Sequence, residues 1–235
     1  TGPDIFDVSM MVALKLIEAG YLPPNPPELD AYLKSGGWSD FSVNYVTHNG
    51  NTYGIPLAEG SRAALFYNKK MFKEAGLDPN APPSTFEELM EYARKLTTYD
   101  AKGIVERSGL SLRITGGGSG LTEKFSYLLH NAGGDVVVQL ENGKWRNGID
   151  SEAGCKALQF YIDTIHKYKV DDPRVRHDAE AFVTEATAMF LRESWVIGEI
   201  KAKNPNLEYG VAPMPGWVRH DSLNQPWPIF LSEKG

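Results

Sequence analysis

Tyr53 to Phe72 reads YGIPLAEGSRAALFYNKKMF, and the fold is decided there. Gly54 and Pro56 interrupt any helix at its start. Ala63-Ala64-Leu65-Phe66-Tyr67 is too apolar for a loop and reads as a strand, after which Asn68-Lys69-Lys70 opens a helical register. Gly76 stands at a helix stop, and Leu77-Asp78-Pro79 leads to Pro82-Pro83-Ser84-Thr85-Phe86-Glu87-Glu88-Leu89. Two overlapping capping boxes, Ser84…Glu87 and Thr85…Glu88, can satisfy the first N–H groups of the next helix. The predicted order is strand, short helix, Pro-rich turn, capped amphipathic helix.

Working outward, 235 residues suffice for one large domain or two small ones with a substantial core. A net charge of −6 leaves no basic face to neutralise phosphates, which excludes nucleic acid as a partner. No apolar run approaches the length of a membrane span, so membrane insertion is not expected. The single cysteine, Cys155, rules out an internal disulfide.

Toward the N-terminus, Ile5–Val8 reads as a strand end, and Met10 to Glu18 as a helix with Met11, Leu14 and Ile17 on its apolar face. Pro23, Pro24, Pro26 and Pro27 predict a stiff extended connection before a short helix over 29–33. Tyr45–Thr47 and Thr52–Ile55 flank an Asn-Gly hairpin signal at Asn49-Gly50. Toward the C-terminus, the capped helix presents Phe86, Leu89, Ala93 and Leu96. Leu110–Ile114 alternates as a half-buried strand, and the glycine run 116–120 precedes a helix through Phe125, Leu128 and Leu129. Val136–Leu140 and Lys144-Trp145 make a second hairpin. Ser151 caps a long helix on which Cys155, Leu158, Ile162 and Ile165 share the side expected to be core. Short helix (178–185), strand (188–191), turn (192–195), helix (196–203) and strands at 209–212 and 228–231 follow. Strands alternating with helices indicate an α/β fold.

Among groups that could carry chemistry, Arg192-Glu193-Ser194-Trp195 turns a strand into a helix, where helix N–H groups are open and ligands tend to sit. An indole there can pack on the C–H face of a sugar ring, or it can anchor its own helix in the core; pattern alone leaves both open. The glycine run could hold an anion or hydroxyls at a helix start, but it lacks the Gly-Lys-Ser/Thr ending of a P-loop. Lys124 can reach the same space or lie in solvent. His166, Asp171, Asp172, His177 and Asp178 lie among Lys167, Lys169, Arg174 and Arg176 without zinc-site spacing, and read as a solvated loop. Neither a serine elbow nor a reactive cysteine is evident, and no cofactor is expected. Glu59 and Glu193 could meet across a cleft as a pair of glycosidase carboxylates.

Three segments, GIPLAEGSRAALFYNK, FKEAGLDPNAPPSTFEELMEYARKLT and AMFLRESWVIGEIKAKNPNLEYGVAPMPG, resemble extracellular solute-binding proteins of ABC importers, family 1, the maltose-binding-protein-like group. The resemblance runs from Gly2 to about Leu231. It implies a type II periplasmic-binding-protein fold of two α/β lobes around a cleft. Residues 1–61 would be part of the N-terminal lobe with the first crossing, 62–227 the C-terminal lobe, and 228–235 the second crossing. The chain would then lack the first strand–helix units of the family fold, and the lobes would close on ligand by a hinge at Leu57–Ser61 and Phe230–Glu233. It further implies a monomer, periplasmic or extracellular, with a lipid anchor an option, that binds a small sugar-like ligand and hands it to permease subunits. By the family's register the ligand contacts are Ser9, Met10, Ser61, Arg62, Leu121, Thr122, Lys124, Arg192 and Trp195, with Trp195 stacking on the ring. In that family the three residues before the aromatic are usually small or neutral. Here they are Arg192, Glu193 and Ser194, and with Arg113 and Lys124 they point to an acidic or phosphorylated ligand, unless Arg192 pairs internally with Glu193 or Glu185. Two other outcomes stay open: an enzyme using Glu59 and Glu193, and a lobe that binds nothing alone.

Overall fold

The computed structural model describes residues 2–57, 61–114, 118–175 and 177–232. The side chains of residues 61, 118, 119, 224 and 225 are not among those described, and Glu59, Gly116, Gly117, Arg176 and parts of both expected crossings lie outside the described residues. Along the chain come β1 (Ile5–Asp7), α1 (Met10–Glu18), α2 (Pro27–Lys34), α3 (Asp40–Tyr45), β2 (Thr47–His48), β3 (Asn51–Thr52) and β4 (Ile55–Pro56). Next are β5 (Ser61–Asn68), α4 (Lys69–Glu74), α5 (Phe86–Leu96), β6 (Thr98–Tyr99), β7 (Val105–Arg107) and α6 (Gly118–Asn131). β8 (Val137–Gln139), β9 (Trp145–Asn147), α7 (Glu152–His166), α8 (Asp178–Val183), β10 (Met189–Glu193) and α9 (Val196–Lys203) follow. β11 (Tyr209–Ala212), β12 (Asn224–Gln225) and β13 (Pro228–Leu231) complete the order. The chain divides into two compact units, Thr1–Arg62 with Asn224–Gly235, and Ala63–Leu223.

In the first unit β13 lies between β1 and β4, antiparallel to both, with Phe6 opposite Phe230 and Ile55 opposite Ile229. Its core joins Met10, Ala13, Leu22, Tyr53 and Phe230. α1 therefore faces inward through Met10 and Ala13, with Leu14 and Ile17 partly buried beside them. Met11, expected on this face, is 75% exposed. Met10, Ala13, Leu14 and Ile17 share an arc of roughly 100° on a 3.6-residue helix, Leu16 flanks it on one side, and Met11 falls outside it on the other. The Asn-Gly hairpin forms, pairing Thr47 with Thr52 and His48 with Asn51. Asn49 and Gly50 both take positive φ, 48° and 82°, as a two-residue turn matched to strand twist requires. Its strands are shorter than expected because Tyr45 ends α3, whose cap Ser39 accepts the Ser42 N–H. Pro27 opens α2 rather than prolonging an extended run.

The second unit is built on β5, which lies between β10 and β11, antiparallel to each. Leu65 and Tyr67 enter one core and Phe66 the other, so the strand is apolar on both faces. That is why it reads as a continuous run rather than an alternation. The Asn68 side chain then caps α4 by accepting the Met71 N–H at 3.0 Å. α5 starts at the Thr85…Glu88 box, and Ser84 gives both its N–H and its hydroxyl to the same Glu88 carboxylate. The Ser84…Glu87 box does not form. Thr85→Ala should cost about 1 kcal/mol of unfolding free energy, read from urea melts.

Two expectations need correction here. Leu110, Ser111 and Leu112 are all buried, so this stretch is no half-exposed strand; one parallel bridge joins Ser111 to Phe190, and Arg113 turns the chain at φ 57°. On α7 the buried side is Gly154, Ala157, Tyr161 and Thr164, whereas Cys155, Leu158 and Ile162 are exposed. The helix carries two stripes, and close approach selects the smaller one. A Cβ on Gly154 would come 1.8 Å from the Ile149 carbonyl oxygen, and the Tyr161 hydroxyl donates to the Leu112 carbonyl.

Candidate functional site: a buried charge network beneath Trp195

The strand expected over 188–191 runs on through Arg192 and Glu193, both buried, and Trp195 becomes the residue that caps α9. Alternation along β10 sends Phe190 to one core and Leu191 to the other. Arg192 follows Phe190 toward α8, and Glu193 follows Leu191 toward α6. On α6, Lys124, Tyr127 and Leu128 fall at i, i+3 and i+4 and are buried together.

Glu193 is the hub. Lys124 Nζ donates to its Oε1 at 3.0 Å, and the Tyr127 hydroxyl donates to the same oxygen. Trp195 Nε1 donates to Oε2 at 3.0 Å. Arg192 Nε lies 3.3 Å from Oε2, while its Nη1 donates to Asp178 Oδ2 at 3.4 Å. The Arg192 guanidinium sits over the Trp195 ring, 4.8 Å from its centroid. His177 Nδ1 lies 3.1 Å from Asp178 Oδ1.

Burial alone would raise the Glu193 carboxyl, but the Lys124 ammonium, the Tyr127 hydroxyl and the Arg192 guanidinium outweigh it and hold it at about 2. Burial pulls the Lys124 ammonium down and Glu193 draws it back up. Burial and Glu193 together push the Tyr127 phenol up. Two cations, Lys124 and Arg192, thus face two anions, Glu193 and Asp178. Each cation of the arrangement already has a carboxylate partner, with Glu123 a further one 3.8 Å from Lys124, and Trp195, 45% exposed, is its largest outward surface.

Of the residues expected to touch ligand, Lys124, Arg192 and Trp195 come together around Glu193. Lys124 is only 1% exposed and Arg192 is buried, so each meets a carboxylate of the chain itself. Leu121 and Thr122 are exposed on the first turns of α6. Arg113 lies across the start of that helix, where a Cβ on Gly120 would fall 2.2 Å from its Cζ. In the first unit, Ser9 caps α1 and its carbonyl accepts Val12 and Ala13 N–H groups. Met10, expected to line a cleft, is a core side chain there. The backbone of Ser61 and Arg62 pairs with Gln225 and Asn224.

Tyr127 was not expected in the site, and Asp178, expected with Asp171 in a solvated loop, is buried as Asp171 is. The i+3 spacing from Lys124 to Tyr127 was a usable signal, whereas nothing local ties Asp178 to Arg192. Among the described residues no group of His, Cys, Asp and Glu could hold a metal ion, and no helix is long and apolar enough to cross a membrane. A groove of about 540 Å³ between α5 and α7 includes Phe86, Phe160 and Trp217 in its wall and shares no residue with the network.

The family model of the bacterial extracellular solute-binding proteins matches residues 1–235. A putative binding protein of Brucella abortus (strain 2308) is 24% identical over 227 residues, covering 92% of this chain and 50% of the relative. The sn-glycerol-3-phosphate-binding periplasmic protein UgpB of Escherichia coli (strain K12) is 33% identical over 92 residues, 39% of this chain and 17% of that protein. The crystal structure of an ABC transporter solute-binding protein from Thermotoga lettingae, bound with α-D-tagatose, superposes with a TM-score of 0.77 at 28% identity. It is matched over 100% of this chain and 59% of its own. The chain therefore spans about half the length of the curated relatives it matches, and its α/β fold is that of the type II periplasmic binding proteins. Glu193, Arg192 and Trp195 thus stand on a known scaffold: the chain belongs to the bacterial extracellular solute-binding proteins.

Proposed function

We propose that the protein captures a neutral sugar or sugar derivative and delivers it to an ABC importer, with Trp195 stacking on the sugar ring. The observation that carries this reading is the partly exposed indole at the β10–α9 junction above a network in which each cation already has a carboxylate partner. An apolar ring face beside fixed polar groups is what a pyranose or furanose ring requires. Leu121 and Thr122, exposed on α6, are proposed as further contacts. The tagatose bound to the Thermotoga lettingae protein supports a neutral ligand.

The expectation of an acidic or phosphorylated ligand rested on Arg113, Lys124 and Arg192. Internal pairing removes two of the three. The likeness to the sn-glycerol-3-phosphate-binding protein favours a phosphorylated ligand as the second reading, with Arg113 as its cation. A glycosidase role does not suit Glu193: held at about 2 it is no general acid, and as a nucleophile or base it is already engaged, both oxygens accepting from Lys124, Tyr127 and Trp195.

The test is a thermal-shift screen followed by calorimetry with D-tagatose, maltose, glycerol and sn-glycerol-3-phosphate. A neutral sugar should raise the melting temperature, because a ligand of the native state stabilises it by mass action. Trp195→Ala should then weaken that sugar by roughly 1–3 kcal/mol, about 5- to 150-fold. Stabilisation by sn-glycerol-3-phosphate alone would overturn the neutral-sugar reading. Turnover of any of these compounds would overturn binding without catalysis.

A further inference from the structure

We propose that Glu193 and Asp178 are positioning residues for Trp195: Glu193 holds the edge of the indole, and Asp178, from the far side of β10, holds its face through Arg192. This deepens the sugar-binding reading and rests on it only for the consequence to affinity. The geometry is independent of any ligand.

A tryptophan beside a strand-to-helix junction and nearly half exposed has two side-chain torsions to lose when something packs on it. That loss is charged against affinity unless the ring is ordered beforehand. Here the ordering is built in twice. The edge is fixed by Nε1–H donating to Glu193 Oε2 at 3.0 Å. Glu193 itself does not swing, since its other oxygen takes both the Lys124 ammonium and the Tyr127 hydroxyl. The face is fixed by the Arg192 guanidinium, 4.8 Å from the ring centroid, at a distance where a cation is attracted to the aromatic face. Arg192 is in turn tethered to Asp178, which is fully buried in the first turn of α8. The indole is thus gripped from α6 by way of Glu193 and from α8 by way of Arg192.

One consequence is a rule of specificity. The indole N–H is already spent on Glu193, so Trp195 offers a ligand ring carbon and not a hydrogen-bond donor. It selects for a patch of C–H groups on a sugar, and the sugar's hydroxyls are read by other groups. A second consequence is that Asp178, buried on the opposite side of the strand, tunes affinity without touching ligand.

The experiment is 1H–15N NMR of the indole N–H groups in the whole chain. The sequence has five tryptophans, so Trp195→Phe assigns the relevant cross-peak. In the native protein the Trp195 indole proton should exchange with water at least tenfold more slowly than a free indole. Glu193→Gln keeps the size of the side chain and an acceptor but loses the charge. It should shift this cross-peak upfield and speed its exchange several-fold, while the indoles of Trp38, Trp145 and Trp227 stay in place. Asp178→Asn should move or broaden the same peak with a smaller effect on exchange. If D-tagatose binds, both variants should weaken it less than Trp195→Ala does. Free-indole exchange in the native protein needs no variant to observe and would overturn the proposal, as would a Trp195 peak indifferent to both substitutions. Failure of D-tagatose to bind would count against the sugar reading and leave the indole result standing.

Discussion

Glu193→Ala should lower the unfolding free energy by about 3–5 kcal/mol, the cost of stranding one member of a buried ion pair. Lys124 is 1% exposed and depends on Glu193 Oε1 at 3.0 Å. With that oxygen gone, the nearest remaining anion is Glu123 at 3.8 Å, a carboxyl that burial pushes toward the neutral form. The Tyr127 hydroxyl and the Trp195 N–H lose their acceptor in the same step. Adding Lys124→Met should recover much of the loss, because two apolar side chains need no partner and a buried pair so replaced often costs little. The double variant should therefore be more stable than Glu193→Ala alone although Lys124→Met by itself destabilises, an inversion that independent sites cannot give. Urea melts at pH 7 decide it: a single-variant loss under 1 kcal/mol, or losses that simply add, would show that Lys124 does not rely on Glu193.

Sequence and structure agree where one local rule acted alone. β5 is legible in Ala63–Tyr67 because a strand buried on both faces must be apolar throughout. α5 is legible because its cap and its stripe of Phe86, Leu89, Ala93 and Leu96 point the same way. The Asn49-Gly50 turn is legible because few residue pairs tolerate two positive φ angles. Legibility fails where two local signals compete. α7 offers an apolar stripe at Cys155, Leu158 and Ile162 and a mixed one at Gly154, Ala157, Tyr161 and Thr164. The mixed stripe is buried because its small residues allow close approach and its hydroxyls find carbonyl partners. At Leu110–Leu112 alternation suggested one wet face, yet Ser111 is buried with its N–H given to the Met189 carbonyl.

The site divides along the same line. Trp195 is visible from its place between a strand and a helix. The pairing of Arg192 is visible only as a set of options: Glu193 does lie beside it, whereas Glu185 instead accepts from the Asn68 side chain and Asp178 takes the guanidinium. Lys124, Tyr127 and Glu193 meet across 66–69 residues of sequence, a closure made by side chains of β10 and α6 and not by any local spacing.

Stability should fall as pH rises from about 4 to about 7, and Asp171→Asn should remove most of that slope. Asp171 is buried, and burial pushes its carboxyl up to about 7, with Asp178 adding to the rise; the N–H groups of Leu112 and Asp172 and the Ser108 hydroxyl pull it back only in part. An unfolded aspartate titrates near 3.9, so between these values the folded chain holds a proton that the unfolded chain has released. The folded state is then the more protonated one, and stability declines with rising pH at up to about 1.4 kcal/mol per unit, roughly 4 kcal/mol in all. Glu193 acts in the opposite sense and in a different window. Held at about 2, it contributes stability above the ordinary glutamate value of about 4.3 and loses it as pH falls toward 2. The two groups together place their combined optimum near pH 4–5. Urea unfolding at pH 4, 5, 6, 7 and 8 separates the variant from the parent chain: parallel slopes in the two would show that Asp171 is ionised throughout. The consequence reaches the site, because Asp171 Oδ2 accepts the Leu112 N–H at 2.9 Å, one residue before Arg113 turns toward the first turn of α6. A carboxyl that changes charge near neutrality there bears on the only one of the three expected cations that the Glu193 network does not absorb.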